Sequence, residues 1–515
     1  MTQIRSALTH RNIAIAIVLV AFYFRFKNVF DQSPVSIDSN YYVIWAKDLL
    51  TGSGFPGIMK PLWVIMVAMG YAAMGYRLWV ASLLSAFCGT LIVAVMYRLG
   101  RRYLGSSAGL YAGMLSASLL TYIHLSRWSQ GHMTSMLLCL LAVLLYEEAL
   151  RCPGRVTWYL LLSGIMVGAS LYVHAIFMSM VFLLILWAIW DSVADKSGRR
   201  VLKERLAQPL TVAAGVTISM IVPETIIRIA RLTGVAAPSW IGGLYETIFH
   251  FQSTADAGNT YDFGALFSYW NIFSTYEGKI ISTALVIATG MMAWHVRRSR
   301  SISLLRGLSI FLFTFGFVEL SSVFKGVQMA KFVTGMLPGV PLVLGYFLVR
   351  LEHIISSLTP SMWRAVNPLT ICAALCAVVA IWGHWHAKSR IEWNTGHNDA
   401  YTLVQQLGPE RIFYSGGIWE FHFSDKSNAF SIASDGVDSL SGASSRDILV
   451  ATHPGACEAK SLVIDKLAGF PLNQMQLVAS VPSFDYTIGH DINPTLGGLN
   501  LDGLGGRLCH VIYSF

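Results

Sequence analysis

Charge is scarce in this chain. Asp, Glu, Lys and Arg together make up 13% of its 515 residues, against 54% hydrophobic residues, and a balance of that kind excludes both an ordinary soluble globule and a disordered chain. Cysteine is scarce as well, with seven residues, which excludes a scaffold built from disulfides. Cys372 and Cys376 stand one helical turn apart in an apolar run and read as packing residues, and the spacing of Cys457 and Cys509 assigns no disulfide. No internal repeat at solenoid periods is visible. The first apolar run follows Arg5 and Arg11 but lacks a small-residue cleavage site, so it predicts a retained helix and not a signal peptide.

What the chain has instead is long apolar segments. Runs of spanning length, or slightly short of it, fall near 11–30, 78–97, 106–123, 132–150, 157–173, 174–190, 209–232, 279–296, 302–322, 329–349 and 368–386, about eleven spans in all. Basic residues near span ends are retained on the cytoplasmic side. With the N-terminus inside, each inner loop carries them: Arg98, Arg101 and Arg102; Arg151 and Arg155; Lys196, Arg199, Arg200, Lys203 and Arg205; Arg297, Arg298 and Arg300; then Arg350 and Arg364. The pattern holds only if the apolar stretch Pro61–Tyr76 does not cross, so it is expected to be an interfacial or re-entrant helix within the first outer loop, residues 31–77. The net charge of +9 therefore follows from topology, and no nucleic-acid partner is expected.

Two domains are predicted: a membrane domain over residues 1–387 and a soluble tail over 388–515. In the tail, carboxylates outnumber Lys and Arg, a helix-like stretch covers Asn398–Leu407, and β-rich runs cover Arg411–Tyr414, Asp447–Thr452, Gln476–Val481 and His510–Phe515. This reads as a small extracytoplasmic α/β domain. Its Gly-rich stretch from Gly497 to Gly506 lacks a following helix pattern and reads as a turn, not a phosphate loop.

In this topology the ionisable residues beside the spans collect at the outer end. Arg25 and Lys27 close the first span, then come Asp38 and Lys60. His124, Arg127 and His132 fall in the second outer loop and His174 in the third outer turn, while Glu224, Arg228 and Arg231 occupy the outer half of the seventh span. Glu319, Lys325 and Lys331 flank the last outer loop. Charges at spans are costly, so the cluster marks a functional site. Cations exceed carboxylates there, against the positive-inside tendency, which suits an anionic head group such as a lipid phosphate.

The order of these residues resembles that of the GT-C membrane glycosyltransferases, particularly the group of protein O-mannosyltransferases and lipid A aminoarabinose transferases. In that group an Arg ends the first span and an acidic residue in the first outer loop precedes Tyr, Ala, Leu and Gly; here Arg25, Asp38, Tyr42, Ala46, Leu49 and Gly52 stand in those places. Met59-Lys60-Pro61-Leu62-Trp63 is similar to a degraded His-Pro-Pro-Leu-Tyr element. Arg77-Leu78 through Arg101, Arg102 and Gly105 match an Arg-Leu span with a basic end, Ser126-Arg127 matches a Ser-Arg before the fourth span, and Lys331-Phe332 with Pro338 stands for a late Arg-Tyr. Two positions depart from the pattern: Ser39 replaces the second acid of an Asp-Glu pair, and His132 falls where an acidic residue is common.

The resemblance implies a polytopic α-helical, GT-C-like membrane protein acting at the outer face of the membrane; compact size and the lack of an evident eukaryotic targeting signal make a bacterial plasma membrane the expected setting. The expected partners are a polyprenyl-phosphate sugar donor, an acceptor hydroxyl on a protein, glycan or glycolipid, and membrane lipids. Asp38 is the expected base, and transfer would invert the anomeric centre, since no second carboxylate is evident. Lys331, with Arg25, Lys60 or Arg228, would stabilise charge on the departing phosphate. Tyr42, Arg127, His132, His174, Glu224 and Lys325 complete the candidate substrate-binding set. One carboxylate and a few His make a weak Mg²⁺ site, so no metal or other cofactor is expected to be required. The residues also have plainer roles open to them. Asp38 could cap a helix beginning at Ser39, Lys331 could snorkel, Glu224 and Arg228 could pair within their helix, and His132 and His174 could be packing groups. A transporter, flippase or non-catalytic binding protein for a lipid-linked saccharide would want the same cations, but it has no need of a base in the first outer loop.

Overall fold

The computed structural model describes residues 2–27, 29–31, 37–52, 60–152, 155–194, 202–232, 266–325, 330–358, 397–415, 426–431, 440, 443–454, 476–485 and 507–514. The expected span 368–386, the Gly-rich stretch 497–506 and Cys457 lie outside them.

The apolar runs fold as helices. These are α1 (Thr2–Phe26), α4 (Trp79–Leu104), α5 (Ser106–Ser118), α6 (Leu120–Ser126), α7 (His132–Ala149), α8 (Val156–Val173), α9 (Met178–Ala194), α10 (Leu202–Leu232), α12 (Lys279–Ser299), α13 (Ile302–Lys325) and α14 (Val340–Leu358). Three more lie outside the runs assigned as spans: α2 (Ile37–Thr51), α3 (Pro61–Met74) and α11 (Ser268–Glu277). A 3₁₀ segment, Ala330–Gly339, leads into α14. Among the described residues, six helices are long and apolar enough to cross a membrane. A seventh span is formed if α5 and α6, bent by 58° at their junction, are taken as one.

Without an apolar driving force between helices in lipid, close approach depends on small residues. Gly164 of α8 lies against the backbone of Val212 and Gly215 in α10, and Gly100 of α4 meets Gly109 of α5, where a Cβ would stand 2.9 Å from the neighbouring Cα. The main core is one apolar cluster running through α4, α5, α7, α8, α9, α13 and α14.

The two ends of the bundle agree with the charge-based topology. At the end expected to be cytoplasmic, Arg102 of α4 bonds Glu147 of α7 at 2.6 Å, and Arg306 of α13 bonds Glu147 at 2.7 Å and Asp191 of α9 at 2.5 Å. Tyr103 and Tyr146 donate to Glu147 and Asp191 at 3.1 and 2.6 Å. Helix α3 packs against the opposite end of the bundle. The Trp63 indole donates to the Ser129 carbonyl at 3.1 Å, and Gly70 lies against Val80 and Leu84 at the start of α4. At 14 residues the helix is short for a span, and these contacts hold it beside the start of α4 and the loop before α7.

The tail contains α15 (His397–Leu407) and a five-stranded sheet of β1 (Ile412–Ser415), β2 (Ala429–Ser431), β3 (Ile448–Pro454), β4 (Gln476–Asp485) and β5 (Arg507–Ser514), in the order β2-β1-β3-β5-β4. β1 is parallel to β2 and β3, and β5 runs antiparallel between β3 and β4. Alternation sorts the faces. Ile412, Tyr414, Ile448, Val450 and Ile512 share an apolar cluster with Ala400 and Val404 of α15, whereas Phe413 stacks on Phe430 at 5.6 Å on the other side. That same cluster includes Tyr42, Val43 and Ala46 of α2 and Trp63 of α3, so the core of the tail is continuous with the helices of the first outer loop.

Candidate functional site

The outer site begins on α2. The helix starts at Ile37, so Asp38 stands in its first turn instead of capping a helix that begins at Ser39. A carboxylate there is favoured by the positive end of the helix dipole. Asp38 and Tyr42 are four residues apart and share one face of α2. Tyr42 is buried, and the Lys60 ammonium lies over its ring, 4.6 Å from the centroid. A cation over an aromatic face is attracted by the ring quadrupole.

Lys60 is held there by unusual backbone. Its φ of 74° and ψ of 53° are left-handed, a conformation that costs a side-chain-bearing residue about 1–3 kcal/mol. Pro61, at the first position of α3, fixes the chain that follows. The result is a nearly buried ammonium at the N-terminus of a helix, where backbone N–H groups also face outward.

The second outer loop, residues 127–131, abuts α3. Trp63 anchors it twice, through the Ser129 carbonyl and by lying flat on Gly131, whose φ of 70° and absent Cβ admit the ring. Ser129 also bonds Ser82 of α4 at 3.0 Å. Arg127, buried at the start of the loop, donates from Nη2 to the Lys27 carbonyl at 2.9 Å. Trp128, His132 and His174 form a run of rings, with centroids 5.8 Å apart from Trp128 to His132 and 4.3 Å from His132 to His174. The His174 ring accepts the Ile176 amide at 3.2 Å, and Ser135 donates to the His174 carbonyl at 3.2 Å. His132 and His174 are therefore brought together, both buried.

Arg25 has a different occupation from the one expected at a lipid phosphate. The guanidinium is fully buried and donates to the Ser126 hydroxyl at 3.0 Å and to the carbonyls of Ala21, Ala117 and Ser116 at 3.2, 3.3 and 2.7 Å. The bend between α5 and α6 strips the Ser116 and Ala117 carbonyls of helical partners, and Arg25 supplies them. On the other side of the bend, Glu277 of α11 accepts the amides of Leu120 and Thr121. Glu319 of α13 does the same for α11, taking the Trp270 amide at 2.6 Å.

The backbone places Glu224 and Arg228 one turn apart on α10, Lys325 at the end of α13 and Lys331 in the 3₁₀ segment. The side chains of these four residues and of Asp38 lie outside the described residues. The 3₁₀ segment packs against α6, α7, α11 and α13, which brings it to the same end of the bundle as Arg127 and His132. Sequence reasoning passed over Glu277, although an acidic residue directly before a Gly-Lys span start carries the same signal as Glu319. It also gave no weight to Gly131, whose role depends on Trp63 arriving from another helix.

Comparison with known proteins fits this architecture. Residues 59–226 match the family model for dolichyl-phosphate-mannose-protein mannosyltransferase, a segment that includes Lys60, Arg127, His132, His174 and Glu224. ArnT from Cupriavidus metallidurans in the apo state superposes with a TM-score of 0.54 at 13% identity, over 88% of this chain and 93% of that one. The chain has the GT-C fold and resembles the mannosyltransferase and ArnT-like group. The same ArnT bound to undecaprenyl phosphate gives a TM-score of 0.53 at 14% identity, over 85% and 92% of the two chains. The Archaeoglobus fulgidus oligosaccharyltransferase in the apo form gives 0.49 at 13% identity, over 80% of this chain, which spans only 63% of that protein's length. No curated protein matches the chain.

Proposed function

We propose that this GT-C chain is an inverting glycosyltransferase that moves a sugar from a polyprenyl-phosphate donor to an acceptor hydroxyl at the extracytoplasmic face of a bacterial plasma membrane. The observation that carries the reading is the shared face of α2: Asp38 stands four residues before Tyr42, and the strained Lys60 covers the Tyr42 ring. A carboxylate and a cation at one helix face are what the transfer needs. Undecaprenyl phosphate bound to ArnT and the family of residues 59–226 support the choice of donor class.

In the proposed step Asp38 accepts the proton of the acceptor hydroxyl while its oxygen attacks C1 of the sugar. The C1–O bond to phosphate breaks on the opposite side, and the polyprenyl phosphate departs with one more negative charge than it had in the donor. Lys60, the N-terminus of α3 and Lys331 stabilise that charge, which is worth most in a site shielded from water. Arg127 of the second loop, His132 at the start of α7 and His174 at the end of α8 line the approach, and Glu224, Arg228 and Lys325 complete its rim. The acceptor is a protein, a glycan or a glycolipid, and the tail, whose core continues into α2, supports the helix that bears Asp38.

The test is transfer from a panel of radiolabelled polyprenyl-phosphate sugars by purified protein in lipid, with native membrane extract as acceptor. Transfer by the wild type with inversion, and its loss in folded Asp38→Asn, is the expected result. Full activity in Asp38→Asn overturns the base assignment. Binding of donor without any transfer overturns the enzyme in favour of a carrier.

A further inference from the structure

The junction of α5 and α6 is built with more care than a bend in a span requires. Leu119 is extended, with φ −59° and ψ 130°, so the helical ladder stops and restarts around it. Such a break leaves orphan carbonyls on one side and orphan amides on the other, and an unmade bond in apolar surroundings is costly. Here two on each side have a side-chain partner. The ordinary ladder runs as far as the Leu119 amide, which bonds the Leu115 carbonyl at 2.9 Å, and Arg25 takes the next two carbonyls, of Ser116 and Ala117, which the break strips. Glu277 takes the amides of Leu120 and Thr121 at 3.2 and 2.7 Å together with the Thr121 hydroxyl.

The signs of these two buried charges match the helix ends they serve, a cation at the C-terminus of α5 and an anion at the N-terminus of α6. Beyond the junction, α6 is only seven residues long and ends directly at Arg127. Arg25 reaches Ser126 at that far end, and Tyr122, midway, donates to the Leu337 carbonyl of the 3₁₀ segment at 2.7 Å. A helix so short and so tied behaves as one rigid piece, so whatever fixes its first turn also fixes where its last residue stands.

We propose that Glu277 is a positioning residue for Arg127: by holding the first turn of α6 it sets the placement of the second outer loop toward the lipid-phosphate donor. Arg25 holds the other side of the same joint. The inference rests on the transferase reading for its ligand, since Arg127 is taken to face the donor phosphate, but it is carried by the joint itself. It also accounts for a buried glutamate on a helix outside the assigned spans that no part of the transfer step uses.

The experiment measures donor KM and kcat, and binding of decaprenyl phosphate as a sugar-free probe, for the wild type, Glu277→Ala, Glu277→Gln, Arg127→Ala and the Glu277→Ala/Arg127→Ala double variant in lipid. Expected is a rise of about tenfold in KM and in the probe's dissociation constant for Glu277→Ala, with kcat within about threefold of the wild type. Glu277→Gln, which keeps an acceptor oxygen, restores most of the loss, and the double variant binds the probe no worse than Arg127→Ala alone. Thr121→Val, which removes only the hydroxyl bond, gives a smaller change in the same direction and replaces Glu277→Ala if that protein does not fold. Unchanged probe binding in these variants, a fall confined to kcat, or losses that multiply in the double variant would overturn the proposal. A wild type that binds decaprenyl phosphate but transfers no sugar counts against the transferase reading alone, because probe binding still reports on the joint.

Discussion

The two ends of the helical bundle use buried charge in opposite ways. At the end expected to be cytoplasmic, Arg102, Arg306, Glu147 and Asp191 face one another across four helices, and Glu148 joins them to Arg98. At the outer end, Arg25, Glu277 and Glu319 are just as deeply buried but serve backbone at helix ends. A closed ion network staples helices together and has nothing to offer a ligand. Charges spent on helix ends permit bends and short helices where straight spans would leave no room, and around those bends stand Lys60, Arg127, His132 and His174. The lesson is that the number of charges at a membrane face is a poorer guide to a site than what each charge is bonded to.

The comparison is sharpened first at Asp38. Asp38→Asn keeps a polar group in the first turn of α2 and should fold normally, yet transfer should fall about a thousandfold if Asp38 is the base. Sugar transfer beside thermal unfolding in the same lipid checks this. Glu147→Gln at the other end should do the reverse. Removing the shared carboxylate of a buried ion network leaves Arg306 with Asp191 alone and Arg102 with the more exposed Glu148, and should destabilise the bundle by about 3 kcal/mol, seen in unfolding, while the folded fraction keeps its donor KM. A large donor KM change in Glu147→Gln would break the division between the ends.

Lys60→Ala should lower transfer about a hundredfold, the scale of one preorganised charge at a developing anion, and should weaken binding of decaprenyl phosphate in parallel. Gly89→Ala is milder. Gly89 of α4 lies against Ser126, and a Cβ there would stand 3.1 Å from Nε of Arg25. Overpacking at that point should cost about 2 kcal/mol in thermal stability. The smallest effect belongs to the tail. Burial raises the Asp447 carboxyl, but bonds from Arg411 at 2.7 Å and from Ser444 outweigh it and hold its pKa below the usual carboxylate value. Its contribution to stability is therefore complete above about pH 4 and is lost as pH falls through the lowered folded value. Amide exchange of β1 and β3 should rise on acidification in the wild type and change less in Asp447→Asn.

Much of this architecture was legible in the sequence. Most apolar runs marked helices, with ends that differ by up to nine residues and with the run 106–123 divided into α5 and α6, because hydrophobic length depends on the bilayer while helix ends depend on neighbouring segments; six or seven of the described helices, against about eleven expected, are long and apolar enough to cross. In the tail, α15 and four strands were found from local pattern, whereas β2, with three residues, is too short to show a period. The site was legible only as a collection. Asp38, Tyr42 and Lys60 were named from their order along the chain, but the meeting of Tyr42 with Lys60 depends on a left-handed residue that no periodicity reveals. Arg25 was named for the wrong neighbour, since the break at Leu119 that occupies it has no proline or glycine to announce it.

The sequence by itself determined a membrane chain with an α/β tail, because transfer of apolar surface to its preferred surroundings is a property of each segment alone. Only the tertiary structure decided which charges are spent and on what. Helix bends create backbone groups that must be satisfied, and whether an Arg or Glu from a distant helix reaches them depends on packing that no single segment encodes.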